Sequence, residues 1–234
     1  MKKILVFGDS NSWGYIPAQG TRYPASVRWP GVASAMLGDE YIFVEDSISG
    51  RTTVFEDPCH PKRCGIDNLG YSLLAHYPID LLILYLGTND LKFTDAEGFR
   101  AGLTRIVEYV LDADKNLKTD HPVFAGRKKI LIVGPTCILP EIAVKRPEHQ
   151  LAHAAQESVK ISTVAKEIAH KLGVWFVDIS AVASPSSADC LHLSPEAHRQ
   201  VGTVIAQKIR EIFSECGIEN EKFPLFTQQR ALFY

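Results

Sequence analysis

Long apolar runs, a large net charge and an even set of cysteines are all missing from this sequence of 234 residues. The longest strongly apolar stretches, such as Leu81–Leu86, have the length of a strand rather than that of a bilayer span. The formal net charge is only −2, so there is no overall basic field to attract nucleic acid or an anionic membrane. The sequence therefore predicts a globular protein with neither of these partners.

Disulfide bonds and a leader segment are not expected either. The five cysteines are odd in number and scattered along the chain. The apolar run Ile4–Phe7 ends at Gly8 and is too short for the apolar core of a signal peptide, so it is better explained as a first strand. Cys59, His60 and Cys64 offer three metal ligands without a fourth, which favours a loop over a zinc site. We therefore expect a cytoplasmic protein without a metal or another cofactor.

Short apolar runs alternate with longer segments of helical periodicity. The predicted strands are Ile4–Phe7, Tyr41–Val44, Asp80–Leu86, Ile130–Val133 and Val174–Val177. The predicted helices are Trp29–Leu37, Asp67–His76, Ala96–Leu111, Glu148–Leu172 and Pro195–Cys216. All strand runs except Tyr41–Val44 are nearly continuously apolar, as in parallel strands that are covered on both faces. This pattern predicts one α/β domain over residues 1–216, with a doubly wound, flavodoxin-like sheet of five parallel strands and helices on both faces.

Polar segments follow four of the predicted strands, and the carboxyl ends of such strands are where ligands bind. These segments are Gly8–Ser12, Ser47–Gly50, Gly87–Asp90 and Asp189–Pro195. A serine hydroxyl such as that of Ser10 is a weak nucleophile unless a base removes its proton. His192 is the candidate base, and Asp189 can hydrogen-bond the other nitrogen of its ring. Taken singly, each residue could instead be a helix cap, a turn residue or a surface hydrogen-bonding group.

The four segments, in this order, resemble the sequence blocks of the SGNH/GDSL hydrolase family, from the first strand to the last helix. The resemblance implies the SGNH hydrolase fold and a serine esterase, with Ser10 as nucleophile and Asp189 and His192 as its activating pair. It also implies an oxyanion hole built from the backbone N–H groups of Ser10 and Gly50 and the side-chain amide of Asn89. The sequence departs from the family at Glu45, where an asparagine is frequent.

Longer segments resemble the arylesterase/acyltransferase branch of this family. They are Gly8–Tyr15, Val27–Val32, Gly50–Thr53 and Leu86–Asp90. The branch implies a small-molecule ester as substrate, possible acyl transfer, and assembly into oligomers. Asn11 and Trp13 are the expected substrate-binding residues, although Asn11 could instead orient backbone and Trp13 could simply pack.

Three other functions stay open at this point. A carbohydrate acetylesterase is one, and a thioesterase or lysophospholipase is another. For the latter, the loop Pro135–Arg146 would have to supply an apolar wall, unless it is merely docked on the domain. The third is a non-catalytic binding module on the same fold, because a fold does not fix a function.

The C-terminal segment 217–234 is expected to be an extended arm rather than a core helix. Its apolar residues are Phe223, Pro224, Leu225, Phe226, Leu232, Phe233 and Tyr234. Aromatic side chains of this size are costly to leave in water, so the segment must pack on its own domain or on a second copy. We expect a homo-oligomer in which the arm contacts a neighbouring subunit.

Overall fold

A computed structural model describes the backbone of residues 1–222 and the side chains of residues 1–214. One sheet of five parallel strands has the order β2-β1-β3-β4-β5. The strands are β1 (Lys2–Gly8), β2 (Tyr41–Ser47), β3 (Leu81–Tyr85), β4 (Ile130–Gly134) and β5 (Trp175–Asp178). This is the flavodoxin-like order, so the predicted fold class is confirmed.

The helices cover both faces of this sheet. They are α1 (Ser10–Trp13), α2 (Trp29–Leu37), α3 (Gly65–His76), α4 (Ala96–Leu111), α5 (Ala113–Leu117), α6 (Ile142–Lys145), α7 (Ala155–Leu172) and α8 (Pro195–Lys222), with a 3-10 helix at Thr88–Lys92. The short helices α1, α5 and α6 and the 3-10 helix were not predicted. None of the helices in the described residues is both long enough and apolar enough to cross a bilayer.

Alternating side chains of the strands build two separate cores. In β1, Leu5 and Phe7 belong to the core under helices α3, α4 and α7. Ile4 and Val6 belong to the core on the other face, under helices α2 and α8. Both sets are fully buried, which explains why the stretch Ile4–Phe7 of this strand is apolar at every position rather than at every second one.

The predicted helix Glu148–Leu172 begins too early, because residues 148–154 form turns and helix α7 starts at Ala155. The ring nitrogen Nδ1 of His149 accepts a hydrogen bond from the backbone N–H of Leu151 at 3.1 Å. Such a side-chain bond occupies a backbone donor and competes with a helix. Leu151 is fully buried, so these turns are anchored in the core.

The last helix runs further than predicted. Helix α8 continues past Cys216 to Lys222, so the boundary expected between 216 and 217 lies inside a helix. The first part of the expected extended arm is therefore helical. Residues 223–234, which hold the aromatic part of that arm, lie outside the described residues.

Candidate active site

Ser10 lies in the turn that follows strand β1. The strand ends at Gly8, and Asp9 caps helix α1 by accepting a hydrogen bond from the backbone N–H of Asn11 at 2.9 Å. A Cβ at Gly8 would come within 2.4 Å of the hydroxyl oxygen of Ser12, so this turn requires glycine. The tight turn places Ser10 as the first residue of helix α1, at the carboxyl edge of the sheet.

Ser10, His192 and Asp189 form a continuous line of hydrogen bonds. The hydroxyl oxygen of Ser10 lies 3.0 Å from Nε2 of His192, and Nδ1 of His192 lies 2.7 Å from Oδ2 of Asp189. The other oxygen of Asp189 accepts the backbone N–H groups of Leu191 and His192. Burial raises the pKa of Asp189, but the hydrogen bonds from His192 and from these N–H groups outweigh burial and bring the pKa to about 2. The carboxylate is therefore charged and can hold the imidazole in one orientation.

Asn11 holds the loop that carries His192. Its side-chain oxygen accepts the backbone N–H of Leu193 at 3.1 Å, and its amide nitrogen donates to the carbonyl oxygen of Leu191 at 3.4 Å. The residue is only 2% exposed. Both bonds go to protein backbone, and Asn11 is not part of the lining of the cavity beside Ser10, so a substrate contact of Asn11 stays a prediction. The alternative, that Asn11 orients backbone, agrees with these contacts.

The three predicted oxyanion donors face the same space. Ser10, Gly50 and Asn89 line one cavity of about 170 Å³ together with His192. Gly50 has a φ of 82°, a conformation that favours glycine. The amide nitrogen of Asn89 donates a hydrogen bond of 3.4 Å to Oδ2 of Asp9, and this bond orients the amide. Burial raises the pKa of Asp9 to about 7, against weaker opposing effects of the N–H of Asn11 and of Lys92.

The remaining wall of this cavity is polar and rich in cations. It consists of Tyr15, Ser49, His60, Arg63, Thr88, Lys92, Arg146, His149, Gln150 and Leu191. Trp13 is not part of this wall. It lines an adjoining open groove of about 580 Å³, which shares Tyr15 and Arg63 with the cavity. A substrate contact of Trp13 would therefore have to be made in the groove, and it stays a prediction.

Comparisons with known proteins identify the family of this chain. The model of the GDSL-like lipase/acylhydrolase family matches residues 6–200 of the chain. The chain belongs to this family. No curated protein sequence matches at a significant level.

Several solved structures resemble this GDSL-like hydrolase over almost the whole of both chains. A carbohydrate acetylesterase from Sinorhizobium meliloti is 32% identical, with a TM-score of 0.83 and coverage of 91% of this chain and 100% of that one. The native aryl esterase of M. smegmatis is 31% identical, with a TM-score of 0.82 and coverage of 90% and 99%. A putative arylesterase from Agrobacterium tumefaciens str. C58 is 33% identical, with a TM-score of 0.79 and coverage of 91% and 100%.

Glu45, the departure from the family pattern, has a structural role in this GDSL-like hydrolase. Its carboxylate receives two hydrogen bonds of 2.9 Å from Arg28, one to each oxygen, and one of 3.2 Å from Arg22. Such a bidentate pair is geometrically specific. It ties the segment before helix α2 to strand β2, away from the wall of the cavity.

Of the two possibilities left open for the loop Pro135–Arg146, the structure agrees with a loop docked on the domain, and several residues of the cavity wall were missed. The loop Pro135–Arg146 does not present an apolar wall, because Ile138 and Ile142 point into the core. The end of the loop contributes Arg146 instead. Tyr15 was also missed: its ring stacks on that of His192, with centroids 4.1 Å apart and planes at 25°. Tyr15 lies within the segment Gly8–Tyr15, so its position was a usable signal, whereas the loop cations carried none.

Proposed function

We propose that this GDSL-like hydrolase is a serine esterase that cleaves small acyl esters through an acyl-enzyme intermediate. The observation that carries the proposal is the unbroken hydrogen-bond line from Ser10 through His192 to Asp189, beside Gly50 and Asn89. A nucleophile, its base, the group that orients the base and the oxyanion donors are the complete set that acyl transfer requires.

The chemistry proceeds in two balanced halves. As the hydroxyl oxygen of Ser10 attacks the ester carbonyl, Nε2 of His192 takes its proton. The negative oxygen of the tetrahedral intermediate is then stabilised by the N–H groups of Ser10 and Gly50 and by the amide of Asn89. His192 gives its proton to the departing alcohol, and the acyl group remains on Ser10. A water molecule, activated by His192, then releases the acid and restores the serine.

The size of the cavity supports short acyl groups. Its volume of about 170 Å³ lies below the range of roughly 300–1,000 Å³ that is typical of sites for drug-sized ligands. A lysophospholipase has little support, because the described part of the loop after β4 buries Ile138 and Ile142 instead of forming an apolar groove. An alcohol that replaces water in the second half would make the protein an acyltransferase, a side activity that the same groups permit.

A carbohydrate acetylesterase is the second candidate. It is supported by the similarity to the S. meliloti enzyme of that name. The open groove beside the cavity, with Trp13 and Tyr15 in its wall, has room for an alcohol larger than an aryl group. In both candidates the acyl group is small, and the two differ only in the alcohol.

A series of p-nitrophenyl esters from C2 to C12 tests the proposal. We expect the highest kcat/KM at C2–C4 and a steep decline beyond. A maximum at C10 or longer would contradict the short acyl site. Acetylated sugars, followed by acetate release, separate the two candidates: turnover faster than that of phenyl acetate would favour the carbohydrate acetylesterase.

A further inference from the structure

The wall of the candidate active site carries an excess of positive charge. Arg63, Lys92 and Arg146 line the cavity with His60 and His149, and none of the described lining residues is Asp or Glu. The chain as a whole has a formal net charge of −2, so this excess does not reflect composition. The five residues lie in the loops and helix ends that follow β2, β3 and β4. Three separate segments of the chain therefore each bring basic side chains to the cavity.

One of these charges is balanced within the protein. Nζ of Lys92 lies 3.1 Å from Oδ2 of Asp57, and Nδ1 of His60 lies 3.2 Å from the same oxygen. Asp57 is fully buried. Burial raises the pKa of its carboxyl, but the hydrogen bond and charge of Lys92, together with the bond from His60, lower the pKa below its ordinary value overall. Asp57 is therefore an anion that pairs with Lys92 and His60, and it leaves the other cations of the wall without its charge.

The two arginines are not balanced in this way. Neither Arg63 nor Arg146 makes an ion pair with a carboxylate in the described part of the chain, whereas Arg28 pairs with Glu45 and Arg51 with Asp46. Both are partly buried rather than extended into water. Asp189 is hydrogen-bonded to His192, and Asp9 accepts hydrogen bonds from the amide of Asn89 and the N–H of Asn11. Two guanidinium groups are therefore left to face the cavity.

Arg63 also lies directly beside the reacting centre. A Cβ built on Gly50 would be 2.7 Å from Nη1 of Arg63, so the guanidinium rests against a proposed oxyanion donor. Arg63 follows strand β2, whereas Arg146 follows strand β4, and strands β1 and β3 lie between these two in the sheet. Arg146 therefore reaches the cavity from the opposite side. The pKa of His149 is lowered, first by burial and then by the positive charges of Arg146 and Lys92. Arg146 and Lys92 therefore lie close enough to His149 to add to the effect of burial.

We infer that the preferred esters carry a negatively charged group, a carboxylate or a similar anion, which Arg63 and Arg146 bind while Ser10 attacks the ester. This inference rests on the proposed function and names the class of its substrate. A guanidinium group is planar, weakly hydrated and always charged, and its paired donors fit a carboxylate. The two arginines can reach an anion in the acyl half or in the alcohol half of the ester, and the small cavity favours a compact anion.

Two matched pairs of esters test the inference, with an amide as the neutral replacement for each carboxylate. Monoethyl succinate against ethyl succinamate places the charge in the acyl half. 4-Acetoxybenzoate against 4-acetoxybenzamide places it in the alcohol half. We expect kcat/KM to be roughly ten- to a hundredfold higher for the anionic member of at least one pair, the range of a charge-assisted hydrogen bond. The preference should fall as salt is added.

Variants assign the preference to the two arginines. In Arg63→Gln, Arg146→Gln and the double variant, the ratio of anionic to neutral turnover should fall, and in the double variant it should approach one. Arg105→Gln removes the same charge from an exposed position on helix α4 and should leave the ratio unchanged. Inhibition of the unaltered protein gives a reading that needs no variant: succinate should inhibit hydrolysis of a neutral ester at least tenfold more tightly than succinamide.

Each result decides the matter. Equal or faster turnover of both amides, equal inhibition by succinate and succinamide, or an unchanged ratio in the double variant would overturn the inference. If the unaltered protein hydrolyses both amide-bearing esters at least as fast as their carboxylate partners, and Ser10→Ala hydrolyses none of them, the proposed function stands while the anionic preference fails. If none of the four esters is cleaved, both fall.

Discussion

Nε2 of His192 lies 3.0 Å from the hydroxyl oxygen of Ser10, although the two residues are 182 positions apart in the chain. The distance is already within hydrogen-bonding range, so proton transfer needs no loop closure. Tyr15 covers one face of the imidazole, and Asp189 binds its far nitrogen. The ring therefore has a fixed orientation before any substrate binds.

Replacement of Asp189 by asparagine should lower kcat by about 10³- to 10⁴-fold with little change in KM. The asparagine oxygen can keep the bonds from the N–H groups of Leu191 and His192. Its NH₂ group, however, would face Nδ1 of His192 and favour the tautomer whose Nε2 carries a proton and cannot accept one from Ser10. Steady-state hydrolysis of p-nitrophenyl acetate measures the loss. Asp178→Asn, at the end of strand β5, is the matched control, and equal activity of the two variants would contradict the role of Asp189.

Removal of the amide of Asn89 should lower kcat by about 10²- to 10³-fold, the usual loss for one oxyanion donor. KM should change little, because the amide acts on the oxyanion rather than on the ground-state carbonyl. Asn89→Ala is compared with Asn116→Ala, whose amide bonds only to the carbonyl of Tyr109 in the described structure. A kcat within twofold of that control would remove Asn89 from the mechanism.

The outline of the fold could be predicted because the local pattern and the tertiary environment agree. Ile4–Phe7 is apolar at each position, and both faces of β1 are covered. The start of helix α7 could not be predicted, because it depends on one bond from the N–H of Leu151 to the ring of His149 and on the burial of Leu151. Neither is visible in helical periodicity.

The site shows the same division. Ser10, Gly50 and Asn89 lie within a few residues of the ends of strands, so the sheet fixes where they meet, and the resemblance to the family implies their roles. Arg63 and Arg146 lie in crossover segments, and the path of such a loop depends on how it packs. Asn11 shows a third case: its place was recognised, but the sequence left a substrate contact and a backbone contact both open, and only the structure shows the bonds to the backbone of Leu191 and Leu193.

Asp9 should make the protein less stable as the pH rises. Burial raises the pKa of its carboxyl from 3.8 to about 7, so the folded state keeps a proton that the unfolded state loses. The contribution of Asp9 to the free energy of unfolding should therefore be most favourable below about pH 4. It should decrease between about pH 4 and pH 7 and stay constant at higher pH. Asp90, with a pKa raised to about 7 chiefly by burial, adds a decline of the same sign.

Asp9→Asn removes the titration while keeping an oxygen that can accept the N–H of Asn11. We compare the free energy of unfolding of the variant with that of the unaltered protein at each pH. The difference, variant minus unaltered protein, should be about 2 kcal/mol larger at pH 8 than at pH 5. Urea denaturation at both pH values measures this difference. The same pH dependence in both proteins would show that Asp9 is charged in the folded state.

Assembly is the prediction that depends on the C-terminal segment. We propose that the chain forms a homo-oligomer through residues 223–234, which follow the end of helix α8. Light scattering coupled to size-exclusion chromatography should give a multiple of the chain mass for the full chain, and a smaller assembly after truncation behind Lys222. A monomeric full chain, or an oligomer that survives the truncation, would contradict the proposal.

The loss of ester hydrolysis in Ser10→Ala tests the central claim most directly. The hydroxyl of Ser10 is the proposed nucleophile, so its removal should lower kcat for p-nitrophenyl acetate by several orders of magnitude, roughly 10⁴-fold or more, with thermal unfolding nearly unchanged. Ser12→Ala, two positions along helix α1, removes a buried hydroxyl that has no hydrogen-bond partner in the described structure and should stay active. A Ser10→Ala protein that is folded and as active as Ser12→Ala would contradict the serine mechanism.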